Sequence, residues 1–434
     1  MDKKLSVIPK RILLPFVLVT SLFALWGFAN DITNPMVAAF KNILLISNFE
    51  SALVQFAFYG GYCVMAFPAA LFIKRFSYKS GIMLGLTLYA LGCFLFIPSG
   101  WMMAFPAFLI SYFIMTCGLS FLETSSNPYI LSMGPEETST RRLNFAQSFN
   151  PIGSLLGMLT AKDLILAKLD QSSEVARRAM AGTAALTDIQ KHDLGVIIGP
   201  YAALGAVVLL FLAVFAIAKM PKAKEEESKT LDIGGTLRRL WANRKYTEGV
   251  VTQIFYVGAQ IMCWTFIIQY AGDALGMEKV EAQKYNMIAM GIFVSSRFVC
   301  THLLRYFSPG GLLLSLASAG FTLILGVIFL PGMMGLWCLV AVSACMSLMF
   351  PTIYGIALKG LGDDAKFGSA GLIMAIGGGC LMPPLQGAIM DMPAFTLGFM
   401  TLSSVRASFI LPIICFIVIA VFGFRTSNVH GHRY

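Results

Sequence analysis

The chain has 434 residues, of which 57% are hydrophobic and 12% are charged, and its formal net charge is +10. Soluble globular proteins average about 25% charged residues, so this composition and a mean hydropathy of +0.75 exclude an ordinary soluble domain. The basic residues fall mostly in alternate loops, which is typical of the positive-inside bias and not of nucleic-acid binding. We therefore expect a protein in contact with the lipid bilayer, no nucleic-acid partner, and both termini in the cytoplasm.

Apolar stretches of membrane-spanning length recur along the whole chain. A hydrocarbon core of about 30 Å needs roughly 20 apolar residues per helix. Twelve stretches meet this requirement approximately: 12–34, 50–73, 82–98, 102–127, 143–167, 195–219, 247–272, 284–304, 311–331, 333–358, 367–390 and 398–424. The sequence thus predicts an all-α polytopic membrane protein with twelve transmembrane helices.

Two polar segments interrupt these stretches. Residues 220–245 are rich in charge and follow the sixth predicted helix, so we interpret them as a cytoplasmic linker. This linker divides the chain into an N-terminal six-helix half, 1–219, and a C-terminal six-helix half with a cytoplasmic tail, 246–434. The other polar segment, 168–194, is expected on the external side and has some helical character.

Two acidic residues lie within or beside apolar stretches of the first half. Glu123 is near the end of 102–127, and Asp31 is near the end of 12–34. An ionisable side chain inside a membrane is costly, and such residues usually mark an ion or substrate pathway. Because burial disfavours the charged form of a carboxyl group, Glu123 can exchange a proton near neutral pH. The alternative for Glu123 is the capping of a buried polar network, and for Asp31 it is the capping of the helix end before Pro35.

Amide and aromatic side chains lie at helical spacing in later stretches. Gln147 and Asn150 are three residues apart, so they share one face of the fifth predicted helix. Gln253, Gln260 and Trp264 follow on the seventh. Amides can donate hydrogen bonds to hydroxyl groups and accept them, and an indole face can cover the apolar side of a sugar ring. We interpret these five residues as candidate substrate contacts, although hydrogen bonds between helices explain any single amide equally well.

Three further features bear on the same helices. Asn127-Pro128 follows Glu123, and because proline removes a backbone donor we expect an unwound helix beside the acid. Arg297 can pair with an acid, but we favour a structural or gating role for it. The run 377–379 consists of glycine, and it predicts close helix packing or a hinge.

Nothing in the chain has the pattern of an enzyme or a metalloprotein. No nucleophile–base arrangement and no phosphate-binding motif occurs in the sequence. The nine cysteines lie mostly in apolar stretches without metal-ligand spacing, so we interpret them as small buried apolar residues. We therefore expect no enzymatic activity, no cofactor and no bound metal.

Several sequence blocks carry a resemblance to a known family. In order, they are 25–30 (LWGFAN), 55–62 (QFAFYGGY), 122–124 (LET), 143–150 (LNFAQSFN) and 256–260 (YVGAQ). With these blocks the chain resembles the fucose–galactose–glucose proton symporters of the major facilitator superfamily, and most of all the fucose permeases among them. The likeness runs from about residue 12 to residue 425.

The resemblance implies a major facilitator fold and a specific activity. It implies alternating access between two six-helix halves and import of a neutral monosaccharide, most of all L-fucose, with protons across the inner membrane. It also implies that Glu123 contributes to sugar binding and proton coupling. The family's coupling aspartate stands eight residues after the tryptophan matched by Trp26, where this chain has Asn34. Asp31 lies one helical turn earlier and is our second proton-coupling candidate.

Other activities remain as alternatives at this point. Galactose or glucose can replace fucose as the substrate, since these sugars differ by few hydroxyl groups. A proton-coupled drug antiporter shares the fold, but we would expect a larger and more apolar cavity. A membrane sensor would carry a recognisable signalling domain. We expect a sugar symporter that works as a monomer.

Overall fold

The computed structural model describes residues 12–133, 145–147, 149–221, 233–303, 306–361, 364–397 and 400–427. These residues divide into two compact units. Unit 1 comprises Met1–Thr33 and Gly60–Leu231, and unit 2 comprises Asn34–Tyr59 and Asp232–Tyr434. The residues outside the described ranges include 222–232 of the predicted linker 220–245 and 428–434 of the predicted tail.

The first 221 residues form eight α-helices in the described ranges. They are α1 (Leu13–Thr33), α2 (Met36–Leu44), α3 (Asn48–Arg75), α4 (Tyr78–Met102), α5 (Phe105–Ser132), α6 (Asn150–Thr160), α7 (Glu174–Ala179) and α8 (Ala184–Ile217). A π-helical turn, Ala161–Ile165, and a 3-10 turn, Leu166–Lys168, follow α6. The polar segment 168–194 is thus partly helical, as the sequence predicts.

The described residues from 233 onward are also mostly helical, apart from one pair of short strands. Its helices are α9 (Ile233–Ala242), α10 (Arg244–Thr265), α11 (Ile267–Leu275), α12 (Lys279–Leu303), α13 (Pro309–Phe329), α14 (Met333–Met346), α15 (Met349–Leu358), α16 (Ala365–Met374), α17 (Gly378–Met390), α18 (Ser404–Ala407) and α19 (Ile410–Thr426). A 3-10 turn, Ala375–Gly377, precedes α17. The strands β1 (Phe395–Leu397) and β2 (Met400–Leu402) pair antiparallel.

Helices occupy all twelve stretches that the sequence predicts to cross a membrane. Within the described ranges, nine spans are long and apolar enough to cross, and the bent pair α10–α11 makes ten. The other two stretches are helical as well, because α6 lies in 143–167 and α12 covers 284–303. The last span is shorter than predicted, since Met400–Leu402 form a strand and the span begins only at Ser404.

The helices break at positions that periodicity alone does not reveal. The first span continues beyond the predicted end at residue 34 and reaches Leu44 through α2. Pro35 separates α1 from α2, because it lacks an N–H group and disfavours helical geometry at the preceding residue. The seventh predicted helix is bent by 46° between Thr265 and Ile267. Both breaks lie close to polar side chains of the candidate site.

Candidate functional site

Two helices of unit 1, α1 and α6, approach each other through their backbones. A Cβ atom at Gly153 would lie 1.8 Å from the Ala24 carbonyl oxygen, and one at Gly27 would lie 2.2 Å from the Asn150 carbonyl oxygen. Neither position accepts a larger residue without a backbone shift. Asn150 also donates from Nδ2 to the Phe23 carbonyl oxygen at 3.4 Å. Asn150, a predicted substrate contact, is therefore held directly against α1.

Asp31 lies in the last turn of α1, where its side chain is only 4% exposed. Two residues later, the Thr33 hydroxyl is 3.4 Å from the Tyr201 hydroxyl, which is 2.9 Å from the Tyr112 hydroxyl. The Tyr201 ring stacks on Phe96 with 4.1 Å between ring centroids. Since these rings belong to α4, α5 and α8, the buried network fixes the helix end that carries Asp31.

Asn34 stands where the symporter pattern has its coupling aspartate, and its side chain is buried in unit 2. Gln55 donates from Nε2 to Asn34 Oδ1 and to Thr265 Oγ1, both at 3.0 Å. Gln55 is fully buried. A neutral amide at position 34 satisfies this hydrogen bond, so the arrangement needs no carboxylate there. The carboxylate of this region is at position 31 instead.

Glu123 is half-buried on α5 and lies near two amides. Asn127 donates from Nδ2 to the Glu123 carbonyl oxygen at 3.2 Å, and Gln147 donates from Nε2 to Asn127 Oδ1 at 3.1 Å. The expected unwinding at Pro128 is wrong, because α5 continues to Ser132. The Asn127 side chain supports the turn that the proline weakens. Unit 1 thus links Glu123 to Gln147 through Asn127, which the sequence singled out only as the neighbour of a proline.

The predicted contacts of unit 2 lie along α10. Gln253 is fully buried, and neither of its amide atoms has a hydrogen-bond partner among the described residues. Leaving a buried polar group unpaired costs about 1–3 kcal/mol, so Gln253 favours a partner that the protein does not supply. Gln260 is half-buried. Trp264 donates from Nε1 to Ser343 Oγ at 3.0 Å, which leaves only its ring surface for a ligand.

An amide pair on α12 was missed by the sequence analysis. Gln283 is 0% exposed and Asn286 is 1% exposed. Asn286 Nδ2 donates to Gln283 Oε1 at 3.4 Å, but Gln283 Nε2 and Asn286 Oδ1 have no partner in the described structure. Phe293, two turns further along, contacts the Trp264 ring edge-to-face at 5.0 Å. Two amides three residues apart were a usable signal, but Gln283 falls just outside the predicted stretch 284–304.

Two other sequence features are explained by packing. Arg297 donates from Nε to the Ser347 carbonyl oxygen at 3.2 Å, and its guanidinium lies 5.0 Å from the Phe293 ring centroid. These contacts favour the structural interpretation of Arg297. In the glycine run, a Cβ atom at Gly378 would lie 2.0 Å from the Ile254 carbonyl oxygen. The run therefore lets α10 and α17 pack closely.

The described ranges contain no group of three or more His, Cys, Asp and Glu side chains placed to hold a metal ion.

Comparisons with known proteins give the chain a family. The family profile described as Major Facilitator Superfamily matches residues 19–383. The chain is 54% identical to the L-fucose-proton symporter of Haemophilus influenzae over 98% of this chain and 99% of that protein. It is 30% identical to a glucose/galactose transporter of Brucella abortus over 94% of this chain and 93% of that one.

The fold matches a solved transporter as well. The crystal structure of the Major Facilitator Superfamily transporter FucP in the outward conformation aligns with a TM-score of 0.71 and 34% identity. The alignment covers 96% of this chain and 99% of that one. The expected resemblance is thus confirmed, and the chain belongs to the Major Facilitator Superfamily, with the fucose–galactose–glucose proton symporters as its family.

Proposed function

We propose that this protein is a secondary active transporter that imports L-fucose together with protons by alternating access. The observation that carries the proposal is the 54% identity, over nearly the full length of both chains, to a protein named as an L-fucose-proton symporter. The carboxyl and amide side chains described above supply the chemistry that this activity needs.

Glu123 is proposed as the main residue for both sugar binding and proton coupling. As a carboxylate it accepts hydrogen bonds from sugar hydroxyls, and as a carboxylic acid it can pass through the cycle without the desolvation cost of a charge. Gln147 is linked to it through Asn127 and offers further amide atoms. Coupling follows when sugar binding and protonation at this site favour the same conformation.

Asp31 is proposed as the second proton site. It is the buried carboxyl group on α1, one turn before the position that holds the aspartate in the symporter pattern. Position 34 is occupied by an amide that already accepts a hydrogen bond from Gln55. Asn150 lies against α1 and is proposed as a sugar contact on the same side of unit 1.

Unit 2 is proposed to contribute amides and one aromatic ring. Gln253 and Gln260 would exchange hydrogen bonds with sugar hydroxyls, and the Trp264 ring would cover an apolar sugar face. Gln283 and Asn286 extend this set, because each keeps one buried amide atom without a partner in the described structure. A sugar hydroxyl or a water molecule in the transport path would satisfy those atoms.

The cellular setting is proposed on the same grounds. We place the protein in the cytoplasmic membrane with both termini inside, following the distribution of its basic loops. We propose that it functions as a monomer, with six-helix halves 1–219 and 246–434 joined by the linker 220–245.

The decisive experiment is uptake into proteoliposomes with labelled L-fucose, D-galactose and D-glucose. Each sugar is offered with and without an imposed pH gradient, alkaline inside. We expect L-fucose to accumulate above equilibrium only with the gradient, and a protonophore to abolish the accumulation. L-fucose uptake that is changed neither by the imposed pH gradient nor by the protonophore would refute proton coupling.

A second candidate substrate is supported by one comparison. The relative from Brucella abortus is named a glucose/galactose transporter and shares 30% identity with this chain. In the same assay, gradient-driven accumulation of D-galactose or D-glucose without accumulation of L-fucose would establish this alternative and reject the fucose assignment.

A further inference from the structure

The first turn of α3 is capped in two different ways. Ser47 Oγ accepts from the Glu50 N–H at 3.0 Å, and Glu50 Oε2 accepts from the Ser47 N–H at 2.8 Å. This reciprocal pair is a capping box. A helix N-terminus exposes about four backbone N–H groups that need partners. The capping box does not pair the backbone N–H groups of Asn48 and Phe49, so these two groups need acceptors from another part of the chain.

Asp391, which directly follows α17, supplies the missing acceptors. Its Oδ1 accepts from the Asn48 backbone N–H at 2.9 Å and from Asn48 Nδ2 at 2.8 Å. Its Oδ2 accepts from the Phe49 N–H at 2.7 Å. A single carboxylate thus makes three charge-assisted hydrogen bonds at the positive end of a helix dipole. The residues that it joins are more than 340 positions apart in the chain.

Glycines allow α17 to lie against the same part of α3. A Cβ atom at Gly387, one turn before Asp391, would lie 2.6 Å from the Asn48 carbonyl oxygen. A Cβ atom at Gly379 would lie 2.8 Å from the Tyr59 ring. Residues 48–59 therefore run along α17 with the Asp391 cap at one end of the contact.

The contact between α3 and α17 holds a segment of unit 2 that is preceded and followed in the sequence by residues of unit 1. Residues 34–59 pack in unit 2, whereas the residues before and after them, up to Thr33 and from Gly60, pack in unit 1. The helix α3 is continuous across this change at residues 59 and 60. Within unit 2, segment 34–59 is held by the Asp391 cap and by the hydrogen bonds of Gln55 to Asn34 and Thr265.

We propose that Asp391 is a gate residue whose carboxylate fastens segment 34–59 to α17, and that transport requires this cap to be released and remade in every cycle. The proposal rests on the proposed transport function, because alternating access requires contacts that form in one state and break in another. Asp391 is exposed, so water replaces its partners when the cap opens. A contact that water can replace suits a reversible gate better than a permanent clamp would.

The test measures the accessibility of segment 34–59 directly. A cysteine is introduced by Ala52→Cys in a variant without the nine native cysteines, because Ala52 is fully buried in unit 2. Its labelling by a membrane-impermeant maleimide is timed in proteoliposomes without sugar. With Asp391→Ala we expect labelling to be about fivefold faster, the factor typical of losing one helix cap.

Asp273→Ala is the matched control. Asp273 is also an exposed carboxylate of unit 2, but its described partner is the Ser403 hydroxyl and not segment 34–59. We expect wild-type labelling for this variant. Gly387→Ala should accelerate labelling as well, since a methyl group there collides with the Asn48 carbonyl.

Two results would overturn the proposal. One is a wild-type labelling rate in Asp391→Ala, and the other is an equal acceleration in Asp273→Ala. Because labelling is measured without sugar, either result is independent of which substrate the protein carries. If Asp391→Ala labels faster but the protein with an intact Asp391 transports none of the three sugars, the gate stands and the proposed substrate falls.

Discussion

The buried pair Arg177–Asp193 gives the sharpest stability prediction. Arg177 Nη2 lies 2.6 Å from Asp193 Oδ2, and the two side chains are 1% and 0% exposed. The same nitrogen donates to the Asp170 carbonyl oxygen at 2.9 Å, so the pair joins α7 and the preceding loop to α8. Breaking a buried ion pair by removing one partner costs about 3–5 kcal/mol, because the other charge remains buried.

We expect the loss of stability caused by Arg177→Ala to lie at the lower end of that range. Asp193 keeps the hydrogen bond from the Asp170 N–H at 2.8 Å, which offsets part of the loss. The neighbouring Arg178 is the matched control, since it is 55% exposed and pairs with Glu174 one turn away. Arg178→Ala should cost at most about 0.5 kcal/mol, as is usual for exposed pairs.

Hydrogen–deuterium exchange of the peptide covering 169–183 measures this difference locally. A loss of about 3 kcal/mol corresponds to roughly hundredfold faster exchange in Arg177→Ala, whereas Arg178→Ala should change it about twofold. Replacing both buried charges, in Arg177→Met with Asp193→Asn, should restore much of the protection. Equal exchange in the two arginine variants would contradict the argument that burial gives the Arg177 pair its strength.

The remaining predictions concern transport and acid stability. Glu123→Ala should abolish sugar-dependent proton uptake. The control is Glu281→Ala, which removes an exposed acid at the start of α12 and should leave this uptake unchanged. Coupling at the wild-type level in Glu123→Ala would reject the role of Glu123. Asp31→Asn should retain sugar exchange but lose uphill accumulation, and adding Asn34→Asp should restore it; persistent accumulation in Asp31→Asn would place the proton site elsewhere. Asn286→Leu should raise the KM for L-fucose about threefold to tenfold, as for one lost hydrogen bond. Tyr285→Phe should leave the KM unchanged, because the Tyr285 ring contacts Trp337 edge-to-face instead. Hydrogen bonds from Ser172, and then the Arg177 charge, hold the pKa of Asp170 below its usual value. The ionised Asp170 therefore stabilises the fold at neutral pH, and this stabilisation should disappear as the pH falls below about 4.

The sequence predicted the spans well because apolar length is a local property. Each stretch of about 20 apolar residues can be found without knowing its neighbours, and the helices coincide with all twelve. The breaks were harder to predict. Pro35 separates two helices within one span, whereas Pro128 leaves α5 intact. A proline in the sequence therefore does not by itself show whether the helix ends there.

Local sequence patterns did not predict the hydrogen-bond networks between side chains either. Gln55 bonds Thr265 across 210 positions, and the Asp391 cap of Asn48 spans 343. Such pairs depend on which helices pack together, and hydrophobic periodicity does not encode partner choice. The candidate amides were easier to find in the sequence, because a polar side chain inside an apolar stretch is conspicuous. Even so, Gln283 was missed since it lies one residue outside its predicted stretch.

If the protein moves sugar and protons together, adding sugar must cause a flux of protons across the membrane, and this flux can be measured. Proteoliposomes containing the protein, with no imposed gradient, receive L-fucose on the outside while the external pH is recorded. We expect alkalinisation of the external medium that requires the protein, stops with a protonophore and is absent in Glu123→Ala. Uptake of labelled L-fucose at a normal rate with no change in external pH would refute proton coupling.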